Sequence, residues 1–119
     1  MSRELIVADS ISPFKLILNQ GLDDGIALED RFVIYALGKS IKDPTTGVDL
    51  ERLEIIRGTG RIVHLQKKIS TIESTEVESK RVLKSNSGPF AVFTLPTEET
   101  RLVPRPFDEA QIGDLARKI

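Results

Sequence analysis

Glycine and proline recur along this chain so often that little of it is left free to form a long helix. Gly21, Gly25, Gly38, Pro44, Gly47, Gly58, Gly60, Gly88, Pro89, Pro96, Pro104, Pro106 and Gly113 cut the 119 residues into short pieces. Glycine admits backbone angles that other residues avoid, and proline lacks the amide hydrogen that a helix or ladder interior needs. Between these breaks the residue choice favours strands: isoleucine and valine together number 21, threonine adds eight, and alanine contributes only six. Branching at Cβ suits a pleated surface better than a helix. The expectation is a mainly β chain, a small SH3-like or related β-barrel with little helix.

Length and charge narrow the possibilities. One small domain covering residues 1–119 is expected, with residues 1–12 loosely ordered. Seventeen basic and eighteen acidic side chains leave a net charge of -1, without the cationic excess that marks nucleic-acid or anionic-membrane binders. No cysteine is present, which removes disulfides, thiolate metal sites and cysteine nucleophiles. The longest unbroken apolar run, Phe32 to Leu37, is far short of the ~20 residues a membrane helix needs. Arg3, Glu4, Asp9 and Pro13 interrupt the only candidate leader, so a cytoplasmic setting is expected for the sequence as it stands, and a periplasmic one if it is part of an exported precursor.

Alternation places the strands. Phe14, Leu16 and Leu18 share one side of a first strand, and Asn19 to Gly25 form a turn rich in side chains that bond nearby amides. Arg31 to Leu37 is apolar on both sides, as expected at the centre of a packed sheet. Asp43-Pro44-Thr45-Thr46-Gly47 is a loop. Leu53 to Arg57 and Arg61 to Gln66 follow as two strands, with Gly58-Thr59-Gly60 as a bend or bulge between them. From Lys67 to Lys84 the β-branched residues favour strand over helix. Phe90 to Leu95 is a further strand. Thr97 to Arg105 is extended or looped and excluded from a central ladder by its prolines, and Ile112 to Ile119 is a turn leading into a short closing strand.

The stretch Asn19-x-Gly21-x-Asp23-Asp24-Gly25-Ile26-x-Leu28-x-Asp30-Arg31-Phe32-x-Ile34-Tyr35, with Asp43-Pro44-x-Thr46-Gly47 and Gly60-x-Ile62-Val63 after it, resembles the C-terminal SH3-like small β-barrel domain of the bacterial flagellar assembly protein T. The resemblance covers roughly residues 14 to 75 and implies a small SH3-like barrel. Glu29 stands where that family prefers glycine. A second copy of the approach pattern, Ile112-Gly113-Asp114-Leu115, marks a second strand start: glycine permits a tight turn and aspartate holds amides that the ladder leaves unpaired.

Candidate chemistry is sparse. His64 is the sole histidine and lies mid-strand between Val63 and Leu65, with no serine or carboxylate motif at a recognisable spacing. Asp23, Asp24, Glu29 and Asp30 form an acidic cluster better explained by turn capping than by a calcium loop. Thr45 and Thr46 lack the lysine and glycine pattern of a phosphate cradle. Lys67, Lys68, Lys80, Arg81 and Lys84 are interleaved with Glu73, Glu76 and Glu78, as on a solvated mixed-charge face. Phe14, Phe32, Tyr35, Phe90, Phe93 and Phe107 mostly occupy core-like positions. No catalytic, cofactor-binding or metal-binding residue is assigned.

These observations point to a noncatalytic protein-interaction or structural assembly module. It is expected to engage a protein partner or a second copy of itself by edge-strand pairing or exposed apolar loops, with residues 67–84 and 97–107 as contact regions. Membrane insertion is not expected. The alternatives are a nucleic-acid-binding barrel, which needs the basic residues on one face, and a small enzyme subunit using His64, which needs a hydroxyl or carboxylate within its reach.

Overall fold

A computed structural model describes residues 3–84 and 97–119. Among these residues eight strands, β1 (Val7–Ser12), β2 (Lys15–Leu18), β3 (Arg31–Lys42), β4 (Asp49–Leu65), β5 (Ser70–Ser74), β6 (Val77–Lys84), β7 (Thr97–Pro104) and β8 (Leu115–Lys118), carry nearly all the regular structure, with one 3-10 turn at Leu22–Asp24. The mainly β architecture expected from residue choice is present, in antiparallel sheets. No helix among the described residues is long and apolar enough to cross a membrane.

Six strands form one sheet in the order β1-β2-β5-β4-β3-β8, while β6 and β7 form a separate two-stranded ribbon. The core lies against the sheet's inner face: Val7, Leu16, Leu18, Phe32, Ile34, Ile62 and Ile72, with Ile26 and Phe107 brought in from the connections. Alternation explains the choice, since Leu16 and Leu18, Phe32 and Ile34, and Ile62 fall on the same side of their strands. Phe14, expected with Leu16 and Leu18, is more than a third exposed.

The expected closed barrel is not completed. Strands β1 and β8 are the ends of the sheet and meet only at an isolated bridge between Ile6 and Leu115. Around it Val7 N donates to Asp114 O at 2.8 Å and Ala116 N to Leu5 O at 2.9 Å. Closure stops there because β8 has only four residues, and because β1 pairs with β2 across two register shifts that turn the strand off a regular ladder. The same contacts correct the loosely held N-terminus: from Val7 onward the segment is a strand, and Val7 is fully buried.

Two further boundaries differ from expectation. Leu53 to Arg57 and Arg61 to Leu65 belong to one strand of 17 residues, Gln66 lies just past its end, and the glycine pair is laddered inside the strand beside a bulge rather than breaking it. Ile34 faces Gly58 and Tyr35 faces Ile56, so Arg57 is the extra residue. The glycines make room: a Cβ at Gly58 or Gly60 would lie 3.0 Å from the Phe107 ring, and one at Gly60 would also meet Glu73 O and Ile72 Cγ1, each at 2.7 Å. β3 likewise runs five residues beyond Leu37. Residues 67–84 carry two strands, Ser70–Ser74 and Val77–Lys84, as favoured, and Thr97–Pro104 is a ribbon strand outside the main ladder, as its prolines require. The expected strand at Phe90 to Leu95, with Phe90 and Phe93, lies outside the described residues.

The turns leading into β3 and β8 share one construction. Ala27 N donates to Asp30 Oδ2 at 3.0 Å and Gln111 N to Asp114 Oδ2 at 2.8 Å, while each aspartate's own amide returns to the carbonyl three residues back. The residue before each aspartate takes the positive φ that the third position of a type II turn requires: Gly113 at 95° and Glu29 at 71°. Asp24 repeats the clasp on Gly21 N at 3.1 Å.

Candidate interaction surface

The ladder contacts decide which parts of the molecule stand free. β3 pairs with β8 only through Phe32 to Tyr35, and β4 pairs with β5 only from Gly60 to Leu65. Beyond these limits the two strands pair with each other alone, from Ala36 against Ile55 out to Lys42 against Asp49. Seven residues of β3 therefore project about 20–25 Å from the sheet as a two-stranded ribbon. Among the described residues, no strand pairs with either outer edge along this stretch.

The tip is built from the Asp-Pro-Thr-Thr-Gly sequence. Asp43 Oδ1 accepts from Thr45 N at 2.8 Å, Gly47 N returns to Asp43 O at 2.8 Å, and Thr46 Oγ1 accepts from Val48 N at 3.3 Å. Gly47 takes a φ of 73°. Thr45 and Thr46 thus serve the turn. At the root, Arg117 of β8 reaches across β3 to grip Glu54 with both terminal nitrogens, at 2.7 and 3.0 Å, and its guanidinium lies 4.9 Å over the Tyr35 ring. Hydrogen bonding from Arg117 holds the Glu54 carboxyl below its ordinary value. Midway, Arg52 donates to Leu37 O and Gly38 O, at 3.1 and 2.9 Å, which satisfies carbonyls at the register shift between Leu37 and Ser40.

The ribbon's side chains are unusually apolar for their exposure. Leu50 is 61% exposed, Ile56 48%, Leu53 47%, and Leu37 and Ile55 41% each. Because neighbours in a strand point to opposite faces, Ile56 lies on one face and Leu53 and Ile55 on the other, while Leu50 is the extra residue at the register shift between Ile41 and Lys42. A groove of about 670 Å³ runs along this region, bordered by the aliphatic Ile41, Leu50, Leu53 and Ile56 and by the charged Glu51, Arg52, Glu54 and Arg117. Charged residues share both faces, Arg52 and Glu54 with Ile56 and Glu51 with Leu53 and Ile55, so exposed aliphatic side chains stand among charges on each.

The other candidate residues are dispersed. His64 is exposed on β4 and makes no side-chain hydrogen bond or ion pair among the described residues. The acidic residues are spread over separate turns: Asp24 pairs with Arg3 at 3.5 Å, Glu29 with Arg61 at 3.1 Å, and Asp30 with Lys118 at 3.5 Å, while Asp23 is exposed. No group of three or more metal-ligating side chains gathers among the described residues. Lys67 and Lys68 are exposed in the turn between β4 and β5, whereas Lys80 is on β6. The two expected contact regions meet as strands of one ribbon, with Val77 opposite Pro104 and Lys84 opposite Thr97.

The projecting β3–β4 ribbon was not among the contact regions inferred from sequence. A signal for it exists: Lys39-Ser40-Ile41-Lys42 and Asp49-Leu50-Glu51-Arg52-Leu53-Glu54 flank the loop symmetrically, and both mix charge with aliphatic residues where a core strand would be uniformly apolar. No protein-family model and no curated protein matches the chain.

Proposed function

We propose that this chain is a noncatalytic interaction and assembly module in which the β3–β4 ribbon is the docking element. One observation carries the proposal: a ribbon with both outer edges unpaired exposes aliphatic side chains on both faces. Unpaired strand edges are templates for added strands, and proteins ordinarily cover them or blunt them with charge. The cost of exposing Leu50, Leu53, Ile55 and Ile56 to water is recovered when a partner covers them.

The test is a shortened protein. Leu37 and Glu54 face each other across the ribbon, so joining them through an Asn-Gly turn removes residues 38–53 at a matched register. The shortened chain is expected to keep its far-ultraviolet spectrum and to lose the association that the full chain shows by light scattering or in a pull-down with a purified partner. Unchanged association would show that docking occurs elsewhere.

A further inference from the structure

The two edges of the projecting ribbon carry opposite charge. On the β3 side, Leu37 to Lys42 holds Lys39 and Lys42 and no acid. On the β4 side, Asp49 to Ile56 holds Asp49, Glu51 and Glu54 against Arg52 alone. Some of these charges are already engaged within the chain: Arg52 on Leu37 O and Gly38 O, Glu54 on Arg117, and Lys42 weakly on Asp49 at 3.9 Å, with both members of that pair about two-thirds exposed. Lys39 and Glu51 are different. Both are exposed, and neither has a hydrogen-bonding or charged side-chain partner among the described residues.

We infer that the ribbon's partner is a second copy of this chain, with the β4 edge of one ribbon added antiparallel to the β3 edge of the next. The inference rests on the docking role proposed above and names its occupant. Charge decides between the possible pairings. A β3 edge against a β3 edge brings two basic strands together and a β4 edge against a β4 edge brings two net-acidic ones together, both unfavourable between neighbouring strands. Unlike edges bring Lys39 of one copy toward Glu51 of the other. The strand directions agree: in two copies side by side with ribbons pointing the same way, β4 of the first runs antiparallel to β3 of the second, the same sense as the pairing within each hairpin, which is itself interrupted by register shifts between Leu37 and Ser40 and between Ile41 and Lys42. Leu50, Leu53, Ile55 and Ile56 then gain aliphatic neighbours from the next copy on both faces of a widening sheet.

This contact is head-to-tail. Each copy offers one edge and receives the other, so the product is not a closed two-fold dimer but a ring or a filament of the chain, according to whether the rotation per copy closes.

The experiment is sedimentation velocity with static light scattering on the full chain over a wide concentration range. It compares the wild type, K39E, E51K, the double variant K39E/E51K, and an equimolar mixture of the two single variants. The wild type is expected to grow beyond a dimer as concentration rises. Each single reversal makes the meeting edges alike and should weaken association on the order of tenfold. The double variant, and equally the mixture of the two singles, restores opposite edges and should restore assembly. Both sites are exposed, so far-ultraviolet spectra should be unchanged throughout. A wild type that stays monomeric at every concentration, singles that associate normally, or a mixture that fails to recover would each overturn the inference. If the wild type is monomeric while the shortened chain alone loses binding to another protein, the docking role stands and only the second copy is rejected. If the shortened chain associates as the full chain does, both fall.

Discussion

Two turns of one design show what a single side chain costs here. Gly113 and Glu29 occupy equivalent places before Asp114 and Asp30, and both take positive φ, but only glycine does so without steric penalty. Glu29→Gly is therefore expected to stabilise the protein by about 0.5–1 kcal/mol. The exposed ion pair that it removes, to Arg61, is worth little. Gly113→Ala should destabilise by a similar amount, and urea denaturation of the two variants checks both signs. Gly60 carries a different constraint, because a methyl group there meets the Glu73 carbonyl, Ile72 and the Phe107 ring together. Gly60→Ala is expected to cost about 2–3 kcal/mol, measured the same way. At the ribbon root, Glu54 has a lowered pKa, so its bond to Arg117 contributes fully above the ordinary value of 4.5 and is lost as pH falls through the lowered one. A carbon-detected NMR titration should place the Glu54 midpoint below 4.5, and Arg117→Met should return it toward that value.

At the scale of elements, the ribbon and the core are separable. No residue between Gly38 and Leu53 belongs to the buried cluster, so the chain shortened through Asn-Gly should keep its stability within about 1 kcal/mol and its denaturant slope nearly unchanged. This division also explains what the sequence revealed. Elements whose inner faces are buried were legible, since Leu16 and Leu18, Phe32 and Ile34, and Ile62 alternate in step with the core they share. The two turns before Asp30 and Asp114 were legible because their hydrogen bonds are local. The length of β3 and β4 was not, because nothing tertiary rewards either face of the ribbon and no periodic burial marks its extent. Gly58 and Gly60 were visible as punctuation, but their purpose was hidden: the ring they accommodate comes from Phe107, nearly fifty residues later. The barrel was over-read for the same reason, since local strand signals do not say how many residues the last strand contributes to closure.

As a whole the molecule is extended. Its radius of gyration is 20.5 Å, against roughly 13–14 Å for a compact chain of this length, and its principal extents are 68 × 47 × 20 Å. Small-angle scattering extrapolated to low concentration should return a radius near 20 Å for the single chain. A value near the compact one would mean that the ribbons fold back. The shape also bears on how the second ribbon is held. The segment following β7 returns to the sheet with Arg105 N on Glu76 O at 2.8 Å and Asp108 N on Arg57 O at 2.7 Å, and it seats Phe107 against Gly58 and Gly60. Arg57 is the bulged residue, lying one position beyond Ile56, where β4 leaves the body. One aromatic ring is thus wedged at a common fulcrum: load applied to the first ribbon bears on the peg that pins the second, and the two levers of this protein cannot be strained independently.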